Sequence, residues 1–349
     1  MAVPHLKALT IKNVILDSSC SITSSFSGTG YAHIGGIIGY CWATIENSVN
    51  MGSVTFTGNV SDGYYLYLGG IVGYLDSSSS YDTTVKNCAN YGDVTHYGKS
   101  SSSYIGGIVG YSNRVYIYNY LNYASIYHVD TTSNILRLGG IAGNTEYTTI
   151  DNCVSGGEIS SHATEPDENY IGSIVGRVDS NTTINYCYWT SDLSDFDKYG
   201  TGAPASESNT FSYDSTTFEL SETVSIGSYT GTSLIEALNG YSVYYKDRGY
   251  SQWLLINREY KAVSFTINGR TNPIKMDHQI ILLPSLASEG NMNFDGWYTD
   301  KECTVPFEKT AVEEDTTLYG KYESEKSLAP SLFPYATLLL SFLISLVAF

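Results

Sequence analysis

The chain has 349 residues, enough for two or three structural units with a substantial core, and only 15% of them are charged. Its 18 Lys and Arg against 35 Asp and Glu leave a formal charge of −17, which argues against a nucleic-acid partner because phosphate binding needs a basic face. Ser, Thr, Asn, Gly and Tyr fill the surface, a composition common in exported β-rich proteins, and the 32 tyrosines are its most unusual number.

Residues 1–16 show no basic patch followed by a long apolar run, so no secretory signal is read there. Leu9-Thr10-Ile11-Lys12-Asn13-Val14-Ile15-Leu16-Asp17 reads instead as the strand of a preceding coil, and the chain is expected to begin inside a repeat array and to belong to a longer protein. Gly35-Gly36-Ile37-Ile38-Gly39-Tyr40 then returns as Gly69-Gly70-Ile71-Val72-Gly73-Tyr74, Gly106-Gly107-Ile108-Val109-Gly110-Tyr111, Gly139-Gly140-Ile141-Ala142-Gly143-Asn144 and the degenerate Gly172-Ser173-Ile174-Val175-Gly176-Arg177. The first glycines stand at 35, 69, 106, 139 and 172, steps of 34, 37, 33 and 33 residues. A second phrase follows each, as in Ile45-Glu46-Asn47-Ser48-Val49-Asn50, Val85-Lys86-Asn87-Cys88-Ala89-Asn90 and Ile150-Asp151-Asn152-Cys153-Val154-Ser155. The third repeat has the looser Ile117-Tyr118-Asn119-Tyr120-Leu121-Asn122, and the fifth breaks off after Ile184-Asn185-Tyr186-Cys187.

These short β-branched runs separated by Gly, Asn and Ser are strand-and-turn chemistry without a helical period. One such unit cannot bury an apolar face, but stacked units cover one another. The expected fold is all-β: a β-solenoid (parallel β-helix-like) over residues 1–192, N-terminally incomplete. The repeated glycines are expected to turn with φ > 0 and to let neighbouring coils approach closely. No Lys and no following helix accompany them, so they do not read as a phosphate loop.

The glycine phrase, then Ile-x-Asn-Cys, then Gly-x-Val, over roughly residues 30–190, resembles the GLUG-type repeat of bacterial and protist surface proteins. The resemblance implies a β-solenoid in large extracellular or adhesin-like chains, and it brings no catalytic residues.

Within the array several side chains are candidates for chemistry. Tyr40, Tyr74 and Tyr111 end the same phrase in successive coils and should stack as a ladder, which Asn144 and Arg177 interrupt. Packing is its first role; the functional alternative is a shallow strip that receives sugar rings or a partner protein. His96, His128 and His162 fall two, two and three residues after Val94, Ile126 and Ile159. A histidine column can hold a transition metal, but the third is out of register, so the three read as solvated turn residues and no metal is assigned. The acids Asp93, Asp130, Glu146, Asp151, Glu158, Glu165, Asp167, Glu168 and Asp179 do not recur at one repeat position with a basic neighbour. No catalytic residue and no cofactor are therefore expected, and a carbohydrate-active β-helix lyase or hydrolase is the competing class.

The six cysteines, Cys20, Cys41, Cys88, Cys153, Cys187 and Cys303, form no Cys-x-x-Cys pair. Cys88, Cys153 and Cys187 share one repeat position and read as buried small hydrophobes, with a bridge between the last two left open. Asn59-Val60-Ser61 and Asn181-Thr182-Thr183 are N-glycosylation acceptors, Asn59 and Asn181 being the modified residues on a eukaryotic secretory route.

Residues 193–262 read as a Ser/Thr/Asp-rich connector and solenoid end cap. Ser233-Leu234-Ile235-Glu236-Ala237-Leu238-Asn239-Gly240 is a short helix with Ser at the N-cap, Glu at N3 and Gly at its close, and Trp253-Leu254-Leu255-Ile256 is a strand. In residues 263–322, Phe294-Asp295-Gly296-Trp297-Tyr298-Thr299-Asp300, Phe307 and Asp315-Thr316-Thr317-Leu318-Tyr319-Gly320-Lys321-Tyr322 resemble the Listeria–Bacteroides (internalin B-type) repeat. That resemblance implies a small β-grasp-like spacer or interaction module on cell surfaces, for which Phe294, Trp297, Phe307 and Leu318 supply a core.

Residues 323–349 are a polar spacer and a hydrophobic tail whose last 18 residues carry no charge. This is the arrangement of a glycolipid-anchor signal, with Ser324 or Ser327 as the attachment point. The alternatives are a retained membrane helix, a cytosolic tail anchor and a buried segment. The sequence thus reads as a cell-surface protein on the outer face of the plasma membrane, joined to the membrane by its tail or a lipid. It would act in adhesion or surface coating by non-catalytic contacts with glycans or surface proteins. A cytosolic tail-anchored scaffold is a further alternative.

Overall fold

A computed structural model describes residues 9–77, 83–129, 135–162, 169–179, 181–193, 196–256, 263–266, 274–276, 279–284 and 292–324. The repeat region is a parallel β-solenoid of about five turns. Among the described residues the first four coils lay a strand in each of four parallel sheets, and the fifth adds one to the first three. Sheet I stacks Ala32–Gly35, Leu66–Gly69, Ser102–Gly106, Ile135–Gly139 and Asn169–Gly172. Sheet II stacks Ile38–Cys41, Val72–Asp76, Val109–Asn113, Ala142–Glu146 and Val175–Val178. Sheet III carries the Ile-x-Asn strands, among them Thr44–Glu46, Thr83–Lys86, Val115–Asn122 and Thr149–Ser155. Sheet IV carries Ser53–Phe56, Val94–His96, Ile126–His128 and Ile159–Ser161.

Register is in line from coil to coil: Gly69 faces Gly35 and Gly106, and Val85 faces Ile45 and Ile117. The branched residues of each column close the interior, where Ile45, Val54, Leu68, Ile71, Val94, Ile105, Ile117, Ile126 and Ile150 are buried. At ~25 cal/mol per Å² of apolar surface, coil-on-coil burial is what holds units that have no core of their own.

The corner between sheets I and II departs from expectation. None of its glycines lies in the left-handed region. They are required by space: a Cβ on Gly70 would stand 2.2 Å from the Asn90 side chain and 2.2 Å from the Gly107 carbonyl oxygen. The left-handed corner lies instead inside sheet III, where Asn47, Asn87, Asn119 and Asn152 have φ of 52°, 55°, 56° and 55°. Asn tolerates that conformation better than other side-chain-bearing residues.

These asparagines form a ladder along the stack. Asn87 Nδ2 donates to Asn47 Oδ1 (3.1 Å), Asn119 to Asn87 (2.8 Å) and Asn152 to Asn119 (2.7 Å). A second, internal ladder sits against the glycine corner, with Asn50 Nδ2 donating to Asn90 Oδ1 (2.8 Å) and Asn90 to Asn122 (3.0 Å).

The stack continues past residue 192, into the stretch expected to be a connector. Tyr199–Thr201, Ser206–Ser208 and Phe211–Tyr213 pair in parallel with Val175–Val178, Thr183–Asn185 and Tyr188–Thr190. An existing strand edge templates them, so they need no copy of the repeat phrase. The antiparallel strands Glu219–Ile226 and Tyr229–Ser233 then end the stack.

Helix α1 (Leu234–Tyr244) has the expected Ser233 N-cap, which accepts from the Glu236 amide, but it runs through Gly240. Gly240 serves packing, since a Cβ there would lie 3.1 Å from Ile226 Cγ2 and 3.2 Å from Tyr229 Cβ. The helix does not sit on the end of the solenoid. It lies on the flank formed by sheet III, where Val154, Tyr188, Leu234, Ile235, Leu238 and Trp253 share one core, and Asn152 Nδ2 donates to the Leu238 carbonyl (3.4 Å).

From α1 the chain runs back along the asparagine ladder as a strap. Asn87 donates to the Gly249 carbonyl (2.8 Å) and accepts from the Ser251 amide (2.9 Å), while Asn119 donates to the Ser251 carbonyl (3.0 Å) and accepts from the Trp253 indole (2.8 Å). The expected tryptophan strand, Trp253–Ile256, pairs with Ile280–Leu282 and Ala311–Val312. A mixed sheet follows in which Val263–Thr266 lies parallel to Thr316–Ser324, flanked by Ile274–Met276 and Met292–Tyr298. Phe265, Trp297, Phe307 and Leu318 are buried there, and their core is continuous with that of the strap. Residues 325–349, with Ser327 and the apolar tail, lie outside the described residues; among the described ones no helix is long and apolar enough to cross a membrane.

Candidate functional site

The expected tyrosine ladder forms on the outside of sheet II. Tyr40, Tyr74 and Tyr111 are in register, with ring centroids 5.2 Å apart between the first two and 4.9 Å between the last two. Asn144 and Arg177 continue the column without rings.

A second rail stands beside it on sheet I. His33, Tyr67, Tyr104 and Arg137 are in register two residues before each glycine pair. Their rings stack at 5.1 Å for His33 on Tyr67 and 5.1 Å for Tyr67 on Tyr104, and the Arg137 guanidinium covers Tyr104 at 4.6 Å. The two rails meet edge to face across the glycine corner, with Tyr67 4.9 Å from Tyr74 and Tyr104 5.8 Å from Tyr111. The signal for this rail was present in the sequence as a planar side chain at one offset from each Gly-Gly; its chemical variety hid it.

Polar groups line the outer margin. Asp76, Asn113 and Glu146 form the next column beyond the ladder, and Asn113 Nδ2 donates to Asp76 Oδ1 (3.0 Å). Burial first, then the Asp76 carboxylate, pushes the Tyr74 phenol up to about 12. Burial raises Tyr67 and Tyr104 too; for Tyr111, burial acts with a hydrogen bond to the Glu146 carboxylate. The tyrosines of the strip are therefore neutral at any physiological pH, and their two columns go on to Arg137 and Arg177.

The other candidate residues do not gather here. His96 and His128 are not solvated turn residues: both are buried, 5.0 Å apart between ring centroids, beneath Phe56. Each stands two residues after an inward valine or isoleucine, and strand alternation points it inward as well. His162 is out of their register, its place in the column being taken by Ser161, whose hydroxyl lies 3.2 Å from His128 Nδ1. Among the described residues no group of three His, Cys, Asp or Glu converges to hold a metal ion.

All six cysteines are free, and Cys41, Cys88, Cys153 and Cys187 are buried. Asn59 and Asn181 are exposed, the latter donating to Asp179 Oδ1 (3.1 Å). Ser324 ends the strand that begins at Thr316. Of the acids, Asp130, Glu165, Asp167 and Glu168 lie outside the described residues. Asp93 accepts from the Ser125 amide (3.1 Å).

Asp151 is used by the strap. It is 7% exposed, faces Arg248 at 3.9 Å and accepts from Asn185 (2.9 Å). Burial raises its pKa above 3.8, against the lowering effect of Asn185, Tyr241 and Arg248. A carboxyl with a raised folded pKa contributes stability at low pH that is lost as pH climbs through that value. Asp151→Asn, which cannot ionise, should therefore gain on the wild type as pH rises through and above 3.8. Urea unfolding of both proteins across the acid range measures this, and a difference that stays flat or moves the other way refutes it.

Comparison with known proteins adds two findings. Residues 262–321 match the family model of the Listeria-Bacteroides repeat domain, so the chain carries one such repeat at the position its aromatic pattern indicated. A solved Bacteroides ovatus structure described as a "putative immunoglobulin A1 protease" is similar at 19% identity and a TM-score of 0.34, over 59% of this chain and 67% of that one. No curated protein matches in sequence.

Proposed function

We propose that this chain is a GLUG-type repeat protein of the cell surface that binds other surfaces without catalysis, using the two-rail aromatic face as its contact area. The observation that carries this reading is the face itself. A ladder needed only for packing would lie inside the coil, whereas Tyr40, Tyr74 and Tyr111 stand on its outside, Tyr40 exposed and the other two half-buried. Exposed aromatics grouped in one place mark a binding patch more often than scattered ones do. A surface setting is supported by the Listeria-Bacteroides repeat, a module used on cell surfaces, and by the exposure of the acceptor residues Asn59 and Asn181. The uncharged tail after residue 331, with Ser324 or Ser327 as the point of lipid attachment, would hold the assembly to the membrane.

The test is adherence of beads carrying the full chain to mucin-coated and epithelial surfaces. Tyr40→Ala with Tyr74→Ala and Tyr111→Ala should lower retention by about tenfold, the scale of losing roughly 1.4 kcal/mol of binding, while thermal melting confirms the fold. Equal retention by the variant refutes the contact face. Protease shaving of intact cells tests the location, and a chain protected until the cells are permeabilised refutes it.

A further inference from the structure

Resting on that reading, we propose that the face takes an acidic sugar of a surface glycan, whose carboxylate seats on Arg137, Arg177 and the Asn144 amide in the fourth and fifth coils.

The two rails change chemistry at this point. In the first, His33, Tyr67 and Tyr104 give way to Arg137; in the second, Tyr40, Tyr74 and Tyr111 give way to Asn144 and then Arg177. Rail residues of one coil meet across the glycine corner, as Tyr104 and Tyr111 do at 5.8 Å, so Arg137 stands opposite Asn144, with Arg177 one coil further on. Burial raises the pKa of the Tyr104 phenol, and both guanidiniums pull against that rise, which gathers them around one point.

The donors there are not taken up within the protein. Arg137 lies over the Tyr104 ring at 4.6 Å, and a guanidinium stacked through its face leaves the N–H groups in its plane to other partners. Its Nε is buried without an acceptor. Among the described residues neither Arg137 nor Arg177 is paired with a carboxylate. Asn144 is 0% exposed, and neither its Oδ1 nor its Nδ2 has a hydrogen-bond partner. Folded proteins rarely leave a buried amide in that state, and its place in the outer column, between Tyr111 and Arg177, aims it at the same point. A carboxylate accepts from Nδ2 and from two planar guanidinium forks, the geometry in which Arg binds it most strongly.

Charge is sorted by column. Among the described residues the first column holds His33 and Arg137, the second Arg177, and the next coil adds the neutral Thr201 beside Arg177. The acids Asp76, Glu146 and Asp179 stand in the third, with Arg114 next to it turned onto Tyr147 at 4.9 Å. A single carboxylate thus meets two guanidiniums, whereas a sulfated polymer or an acidic peptide run also meets the carboxylates of the third column. Those carboxylates accept from the hydroxyls of a sugar, which an acidic peptide run does not offer.

The full chain, fluorescently labelled, is applied to an array of sialylated and uronate-bearing oligosaccharides, their carboxyl-reduced counterparts, and neutral and sulfated ones, and hits are titrated by calorimetry. Binding to the carboxylated members is expected, and carboxyl reduction should weaken it by more than about tenfold. Arg177→Gln should do the same, while Arg177→Lys, which keeps the charge and loses the fork, should weaken it about threefold to tenfold. Asn144→Asp, which sets a carboxylate against that of the ligand, should abolish binding. Thermal melting checks each fold; if Asn144→Asp unfolds the coil, Arg177→Gln against Arg177→Lys still decides. Binding unchanged in Arg177→Gln, or equal for the carboxyl-reduced glycans, overturns the site. Preference for sulfated glycans overturns the ligand class. Bead adherence with no glycan binding overturns this proposal and leaves the contact face. Glycan binding that needs Arg177, beside adherence indifferent to the triple tyrosine variant, overturns the contact face and leaves this site.

Discussion

Asn119→Ala should cost about 4 kcal/mol and free the strap from the solenoid. The side chain makes every hydrogen bond an amide can use at this site. Its Nδ2 donates to Asn87 Oδ1 (2.8 Å) and to the Ser251 carbonyl (3.0 Å), and its Oδ1 accepts from Asn152 Nδ2 (2.7 Å) and Trp253 Nε1 (2.8 Å). Trp253 is fully buried, so its indole N–H would have no water to turn to, a loss of about 1–3 kcal/mol for one orphaned donor. Two further sources add to it: the weakened ladder, and the left-handed backbone at this position, which Asn tolerates better than Ala does. Asn119→Gly isolates the side chain, because glycine keeps the backbone conformation without strain. It should recover about 1 kcal/mol of the loss and no more. Thermal melting measures the total. Trypsin reports the strap, since Lys246 and Arg248 lie in it and cleavage there should precede global unfolding in the variant. A melting temperature unchanged within a degree or so, or no earlier cleavage at Arg248, would show that the ladder does not hold the strap.

The strap was the part of the fold least legible in the sequence. Its bonds join Ser251 to Asn87 and Asn119 across 164 and 132 residues and use main-chain groups on one side, so no side-chain pattern announces them. The stack was legible for the opposite reason: in a parallel solenoid, neighbours in space are copies one period apart, and the period is visible. The same logic makes the Tyr40, Tyr74 and Tyr111 ladder readable. It fails for His33, Tyr67, Tyr104 and Arg137, where what recurs is planarity and not identity. His96 and His128 read as turn residues because the column breaks at His162, whereas their alternation with Val94 and Ile126 places them inside the coil. The continuation beyond residue 192 was missed because pairing with an existing edge relaxes the demand on sequence: Tyr199 and Tyr213 fill places that earlier coils give to smaller or branched residues.

The second large effect tests why the glycines recur. If the Gly-Gly corner were a left-handed turn, Gly107→Asn would be the mildest substitution available, since Asn is the side-chain-bearing residue that best tolerates that region. The geometry predicts the reverse. A Cβ at Gly107 would lie 2.3 Å from Asn122 Cγ and Nδ2 and 2.3 Å from the carbonyl oxygen of Gly140. The oxygen belongs to the next coil, whose spacing is fixed by bonds such as Gly107 N to Gly139 O (3.2 Å) and Ile108 N to Ile141 O (3.1 Å). The coil cannot move away without breaking them. Overpacking usually costs about 1–3 kcal/mol where side chains can shift; with backbone as the obstacle, Gly107→Ala should reach or exceed about 3 kcal/mol. Gly107→Asn should be worse, because it adds bulk against Asn122 and gains nothing from backbone preference. Gly63→Ala is the counterpart: φ is 84° and nothing lies within 4 Å of the added atom, so only backbone strain of about 1–2 kcal/mol applies. Urea unfolding of the three variants ranks them. The order Gly107→Asn, Gly107→Ala, Gly63→Ala, from most to least destabilised, supports close approach as the cause of the repeat. A Gly107→Asn protein more stable than Gly107→Ala would restore the left-handed turn.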